Sequence, residues 1–501
     1  MATSQTRKNS YTSIKVDKKP DLSKPFELEG CLTAINDKGY YQIRTLIILS
    51  ILWGVVPVIA VLLPFFTIHP EYLCKLSQED NSDFRPCEIE TLCDPYFNFI
   101  IKESDDMYYT WMNNFDLKCE NEYLTILIGS VYFTGMILSN IIIPQICKKY
   151  GRKPVLNSII LVYILNNCML IFSSENKILL IYSLIAGFVY TAISIPAFVL
   201  NFEYTTKKSK SLFSSIINSS YSIGALIQIA IFYAFKNWKM SLAFNIIVFF
   251  IVGLNTHKIK ESPTYLLDKN EYSELTKNFE EISILNKTKE TLAYYLRNHP
   301  LERNKMLDKI NEIKTKKSSS MIGIFKSGEE RRLILIVGTS WFANSLIQYG
   351  TIFNIKKYGS NIFVNAVSLY IASIISILLS SLVIDIYGTR KSLIIYYIFN
   401  LVANATISII NYLDIIKIVG NIPLYFLLFL SSFSTSAIGS LNYIFTAELF
   451  KDKDIVTAIS TGSLINRLAG IISPMLPHIV NYPTIIFTIL SSITITLLMK
   501  I

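Results

Sequence analysis

The sequence has few charged residues for its length. Only 17% of its 501 residues are Asp, Glu, Lys or Arg, whereas 51% are hydrophobic; a soluble chain usually carries about 25% charged residues. The apolar residues gather into runs of roughly 20, the length at which a helix crosses a bilayer. The composition therefore excludes an ordinary soluble protein and predicts an all-α polytopic membrane protein.

Signatures of soluble enzymes are also lacking. The sequence contains no Gly-x-x-x-x-Gly-Lys-Ser/Thr loop, so ATP-driven transport has no support. The four histidines (His69, His257, His299 and His478) are scattered along the chain, so their spacing predicts no metal site. We expect a protein that is not an enzyme and needs no metal or cofactor.

Twelve apolar runs are present, six before a polar interval and six after it. They predict twelve transmembrane helices in two six-helix halves. The segments are a cytosolic N-terminal tail (1–44), a first half (45–256) that includes an extracellular loop (69–123), a cytosolic loop of amphipathic helices (257–332) and a second half (333–501).

The distribution of basic residues predicts the orientation of the chain in the membrane. Most of the 47 Lys and Arg fall on the side of the two termini, and the positive-inside rule then places both termini in the cytosol. The net charge of +10 is thereby explained by loops that face anionic lipid headgroups. It gives no reason to expect nucleic-acid binding.

The predicted extracellular loop carries four of the seven cysteines, namely Cys74, Cys87, Cys93 and Cys119. An even number of cysteines in an oxidising compartment predicts two disulfides, with three possible connectivities. Four unpaired thiols are the alternative.

The two halves repeat the same features. A Gly-basic turn follows the second and the eighth predicted span, and an acid ends the fourth and the tenth. This repetition predicts a parallel duplication with a cavity between the halves. We expect Gly151 and Gly388 to supply tight turns, where a Cβ would obstruct.

Charged residues beside these turns suggest a gate at the cytosolic boundary. Paired with one another they would close that side, and they would separate when it opens. The alternative is ordinary charge that sets the topology. The basic candidates are Arg152, Lys153, Arg390 and Lys391, and the acidic ones are Glu203, Glu261, Asp385 and Glu448.

Arg467 is a charge inside the run IVTAISTGSLINRLAGIISPMLP. Burying a guanidinium at membrane depth costs from about 3 to more than 10 kcal/mol, so such a residue normally faces a polar path. No predicted span has a carboxylate near its centre to pair with it. A lone Arg favours a substrate carboxylate, whose two oxygens its planar fork can bind together; a structural Arg is the alternative.

Aromatic residues within the spans could add a place for a quaternary or protonated amine, because a cation over a ring gains about 2 kcal/mol when desolvated. Packing or contact with lipid is the alternative for each ring. The candidates are Tyr190, Tyr221, Trp341, Tyr349 and Tyr443.

Several motifs resemble those of the organic cation, anion and zwitterion transporters of the major facilitator superfamily. They include KKYGRKPV, NFEYTTKKSKS, KESPTYLLDKN and TAELFKDKDIVTAISTGSLINRLAGIISP, together with the outer pieces IHPEYLC, LCDPYF and FDLKCENEYL. The resemblance implies an alternating-access carrier of small organic ions, with Arg467 at the position of charge selectivity and Trp341 and Tyr349 lining the cavity.

The chain departs from the family pattern at three places. Lys148 stands where the family has Asp, Thr389 replaces a basic residue, and Ile377 stands where anion carriers carry Lys. We predict a plasma-membrane carrier for an organic anion or a carnitine-like zwitterion, with organic cations also considered. A sugar carrier of the same superfamily and a non-transporting receptor or scaffold are the alternatives. The expected partners are the organic ion and membrane lipid, and the sequence does not indicate an oligomeric state.

Overall fold

The structure is a computed structural model that describes residues 27–76, 85–86, 96–101, 107–115, 117, 123–299, 328–358, 361–413, 420–450 and 455–500. Within these ranges the chain is nearly all helical. Three of the four candidate disulfide cysteines, Cys87, Cys93 and Cys119, lie outside the described residues.

The helices of the first half are α1 (Leu28–Ala34), α2 (Tyr40–Val55), α3 (Val58–Phe66), α4 (Trp111–Asn114), α5 (Tyr123–Tyr150), α6 (Arg152–Ile171), α7 (Ile178–Glu203), α8 (Lys207–Phe235) and α9 (Trp238–Asn255). The polar interval carries α10 (Pro263–Asp268), α11 (Tyr272–Leu285) and α12 (Lys289–Asn298). The second half contains α13 (Gly328–Phe353), α14 (Ile362–Tyr387), α15 (Thr389–Tyr412), α16 (Ile422–Leu449), α17 (Ile455–Ile472), α18 (Leu476–Ile479) and α19 (Pro483–Met499).

In the described part of the chain, nine helical segments are long and apolar enough to cross a membrane, with α2 and α3 counted as one. Helices α13, α17 and α19 occupy the three remaining predicted spans. The break between α2 and α3 falls at Pro57, which lacks the N–H that a continuous helix would need. The chain is a multi-span integral membrane protein, and the count of twelve spans stays a prediction.

The fold is not wholly helical, so the all-α prediction was wrong in one segment. Strands β1 (Tyr72–Leu76), β2 (Arg85–Pro86) and β3 (Phe97–Ile101) form an antiparallel sheet in the order β2-β1-β3. Leu73 pairs with Ile100 across β1 and β3. We call the side of the molecule that carries this sheet the loop side, and the side that carries α1 and the end of α19 the terminal side.

Trp111 anchors the segment after the sheet to the first half. Its ring is fully buried and lies 5.1 Å from the ring of Phe66 and 6.3 Å from that of Trp238, between centroids. The hydroxyl of Thr110 also donates to the carbonyl of Ile68 at 2.9 Å. These contacts hold the segment before α5 against the helix ends of the first half.

Contacts between the halves gather at the loop side. The ring of Phe363 at the start of α14 lies 5.1 Å from that of Phe65 on α3, and the hydroxyl of Ser130 donates to the carbonyl of Ile471 at 2.9 Å. Lys356, in the turn after α13, donates to the carbonyl oxygen of Thr67 at 2.6 Å and to its hydroxyl at 3.0 Å. The structure is therefore closed between the halves at the loop side.

Candidate functional site

Arg467 lies where the two halves meet. It belongs to α17 of the second half, yet its Nη1 is 3.9 Å from the sulfur of Met136 on α5. Its guanidinium carbon is 5.9 Å from the ring centroid of Tyr190 on α7. Both neighbours belong to the first half, so the only basic residue predicted inside a span reaches across the interface.

The guanidinium of Arg467 has no carboxylate partner among the described residues, and its buried Nε makes no hydrogen bond. The residue as a whole is only half-buried, which leaves part of the side chain open to solvent. A buried cation normally has paired or hydrogen-bonded donors. Unused donors of this kind can bind the oxygens of an anion.

Tyrosines surround this cation. Tyr132, Tyr190, Tyr349 and Tyr443 all lie close enough to interact electrostatically with Arg467. Three of them were predicted cavity residues, whereas Tyr132 was not. Each phenol offers a ring face and a hydroxyl, so the group can contact apolar and polar parts of one ligand.

Trp341 and Tyr443 form one wall of this region. Their ring centroids are 4.6 Å apart in an edge-to-face arrangement. Trp341 is buried and donates its indole N–H to Thr446 at 3.2 Å, whereas Tyr443 is 50% exposed. Trp341 therefore supports the ring of Tyr443, which is the member open to a ligand.

Tyr349 and Tyr221 bring both halves into the site. Tyr349 of α13 packs edge-on against Phe133 of α5 at 4.7 Å. Tyr221 of α8 interacts electrostatically with Tyr349 and Tyr190, and its ring lies 6.3 Å from that of Tyr370 on α14. The structure thus assembles the predicted aromatic set around one region.

The gate residues of the first half contact one another. Arg152 lies 3.5 Å from Glu203, with both side chains mostly buried. Glu261 accepts the backbone N–H groups of Arg152 at 2.9 Å and Lys153 at 3.1 Å. Gly151 has a φ of 97°, and a Cβ there would stand 2.4 Å from Glu261. The carboxylate of Glu261 thereby caps the start of α6.

The gate residues of the second half are arranged differently. Glu448 accepts the hydroxyl of Thr389 at 2.7 Å. Arg390 donates to the carbonyls of Leu498 and Met499, each at 3.0 Å, and Asp385 is exposed. Thr389 thus partners Glu448 in place of a basic residue, and the contacts described for Arg390 are with the end of α19.

Cys74 on β1 is disulfide-bonded; the connectivity of the four cysteines stays a prediction. The structure describes no group of three His, Cys, Asp or Glu side chains placed to hold a metal in the ranges given above.

Sequence reasoning missed the contributors from α5 and α14. Tyr132, Phe133, Met136 and Tyr370 reach the site from these helices. Apolar and aromatic residues are ordinary within a membrane span, so nothing in their spacing distinguishes the ones that face the cavity.

Comparison with known proteins gives concordant matches. A family model described as Major Facilitator Superfamily matches residues 121–474. Organic anion transporter 3 of Oryctolagus cuniculus is 24% identical over 255 residues, which are 51% of this chain and 46% of that protein. Steroid transmembrane transporter SLC22A24 of Homo sapiens is 26% identical over 259 residues, covering 50% of this chain and 45% of that protein. The chain spans about half the length of the curated relatives it matches.

A solved structure of the xylose transporter XylE from E. coli, in a partially occluded inward open conformation, shares the fold. Its TM-score is 0.62 at 11% identity, with 92% of this chain and 97% of XylE covered. The named relatives confirm the resemblance to organic ion transporters that the motifs predicted. Because the family model matches more than half of the sequence, the chain belongs to the Major Facilitator Superfamily.

Proposed function

We propose that this chain is a secondary carrier that moves a small organic anion, or a zwitterion with a carboxylate, by alternating access. Twelve helices would form the carrier, with both termini in the cytosol and the sheet outside the plasma membrane. The observation that carries the proposal is Arg467, a half-buried cation among tyrosines with no carboxylate partner in the described residues. The similarity to organic anion transporter 3 supports the same substrate charge.

The aromatic rings indicate what the rest of the substrate, beyond its anionic group, could be. Tyr190 presents its ring face to the guanidinium, and Tyr349 and Tyr443 stand beside it. A substrate carboxylate on Arg467 would leave the rest of the molecule against these rings. Flat apolar groups or a quaternary ammonium would fit there, since both are attracted to ring faces.

The test is uptake into proteoliposomes of radiolabelled phenylpropionate, carnitine and tetraethylammonium. Arg467→Ala should lower uptake of the two carboxylates by about tenfold to a hundredfold, because a hydrogen bond to a charged group contributes roughly 1.5–3 kcal/mol. Arg467→Lys should recover only part of the loss, since it keeps the charge but not the fork. Arg331→Ala, an exposed arginine at the start of α13, is the matched control.

Saturable uptake of none of the three compounds would contradict the carrier proposal. Transport of tetraethylammonium alone, unchanged by Arg467→Ala, would show that the substrate is a cation and that Arg467 has a structural role.

At the terminal side we propose a gate that forms when the loop side opens. In this loop-closed state Arg152 contacts Glu203 within the first half, and Glu448 contacts Thr389 within the second half. Closure of the terminal side would bring Arg152 towards Glu448, so that an ion pair within one half is exchanged for one between the halves.

A further inference from the structure

A second feature of the interface is a cleft beside the tyrosines around Arg467, between α8 of the first half and α14 of the second. Most of the residues that line this cleft have neutral polar side chains, including Tyr221, Gln348, Thr351, Tyr370, Ser373 and Ser436. Its free volume is about 20 Å³. This is enough for one water molecule or one hydroxyl group, which need roughly 10–15 Å³.

The hydrogen bonds of the cleft are incomplete on one wall. Ser373 accepts from Ser222 at 2.9 Å and from Ser436 at 2.8 Å, so its own proton is available to a further acceptor. The hydroxyls of Tyr221 and Tyr370 lie near each other, yet within the described part of the chain neither makes a hydrogen bond of normal geometry. Tyr370 is only 5% exposed, and a buried hydroxyl without a partner is costly.

The cleft adjoins the proposed anion site. Tyr221 and Tyr370 both interact electrostatically with Tyr349, and Tyr349 interacts in the same way with Arg467. A ligand that extends past Tyr349 would contact Arg467 at one end and the cleft at the other. Among the residues that the structure describes, no charged side chain lines the cleft, so the second group should be neutral.

We propose that the cleft is a subsite for a neutral hydroxyl group on the substrate, at the end remote from its anionic group. The preferred substrate class is then a hydroxylated organic anion in which an apolar body separates the two polar ends. The proposal rests on the proposed function, because it takes Arg467 as the site of the anionic end. A hydroxyl in the cleft would supply the missing partner of Tyr370.

The test compares two substrates that differ in one hydroxyl, namely para-hydroxyphenylpropionate and phenylpropionate, in the proteoliposome assay. The wild-type protein should transport the hydroxylated compound about threefold to tenfold more efficiently, which corresponds to one net hydrogen bond. Tyr370→Phe should bring this ratio to about one, because the substrate hydroxyl then loses its partner in the cleft. Tyr221→Phe should reduce the ratio in the same direction.

Tyr396→Phe is the matched control. Tyr396 is also a buried tyrosine of the second half whose hydroxyl has no hydrogen-bond partner in the described residues, but it does not line the cleft. Its substitution should leave the preference unchanged. Arg467→Ala should lower uptake of both compounds and keep their ratio.

The outcomes separate the two proposals. Transport of both compounds at equal efficiency, or an equal loss for both in Tyr370→Phe, would overturn the hydroxyl subsite and leave the carrier proposal standing; the cleft would then hold water. Saturable uptake of neither compound would overturn the subsite, and the absence of carnitine and tetraethylammonium uptake as well would contradict the carrier function.

Discussion

Closure of the loop side should depend on pH through Lys356. Its ammonium group contacts Thr67, which caps the C-terminal end of α3, while the rest of the residue is exposed. Lys356 lies in the turn beyond α13, outside the membrane-spanning part. Desolvation of this ammonium group against Thr67 lowers the pKa of Lys356 to about 8 in the loop-closed state. When the halves separate, the side chain should return to the ordinary pKa of about 10.4.

The closed-to-open ratio changes with pH because Lys356 binds its proton less tightly in the closed state than in the open state. At neutral pH the lysine is charged in both states, and the closed state bears the cost of desolvating that charge. As the pH rises above about 8, the lysine loses its proton in the closed state first, so the closed state is stabilised relative to the open one. Between about pH 7 and pH 9 the two pKa values give nearly a tenfold rise in the closed-to-open ratio. Solvent screening of the exposed residue reduces this to roughly threefold.

Distance measurements between spin labels can test this expectation. Phe172→Cys and Ile422→Cys would place labels at exposed loop-side positions in the two halves, after replacement of the free cysteines Cys31, Cys147 and Cys168. The short-distance population should grow with pH in the wild-type background. It should be independent of pH in Lys356→Met, which cannot titrate.

Lys177→Met, at an exposed lysine on the same side, should behave like the wild type. A population that shrinks as the pH rises, or an equal pH response in Lys356→Met, would refute the assignment.

Two further predictions concern the terminal side. Gly151→Ala should lower the unfolding free energy by about 2 kcal/mol or more, since the positive φ is strained for Ala and its Cβ would overlap Glu261. Gly388→Ala has the same kind of strain at a φ of 75° but open space around it, so it should cost less, about 1 kcal/mol. Thermal unfolding in detergent compares the two variants. For the gate, Arg152→Glu should slow uptake, because it would place two acids opposite each other. Adding Glu448→Arg should restore much of the uptake, because the ion pair between the halves would form with its charges exchanged. A folded double variant as slow as the single one would argue against this pairing.

The helical part of the fold follows from the sequence because a membrane imposes long apolar runs and short connections. Helices lie at the positions of all twelve predicted runs, and the described part of the polar interval carries short helices at Tyr272–Leu285 and Lys289–Asn298. The sheet was not predicted because the segment was interpreted from its cysteines and acidic residues, as a disulfide-bearing loop. The run FNFII at Phe97–Ile101 has the aromatic and β-branched composition of a strand, and would have indicated one.

The site was only partly predictable. Arg467 stands out in the sequence because a charge in an apolar run is conspicuous, and its role in binding stays a prediction. Met136 and Tyr370, by contrast, are ordinary residues of a membrane helix and reach the candidate site only where the halves meet. The pairing of Thr389 with Glu448 was also beyond the sequence, since the repeat suggested a basic residue as the partner of that acid.

In the proposed carrier, the position of Arg467 would link ligand binding to conformation. A ligand can shift an equilibrium between two states only through a difference in its affinity for them. Arg467 belongs to the second half, whereas Met136 and Tyr190, which it contacts, belong to the first. Movement of the halves must therefore change the surroundings of the guanidinium. An anion bound to Arg467 and resting on Tyr190 would then have different contacts, and so a different affinity, in the two states. Alternating access requires such a difference.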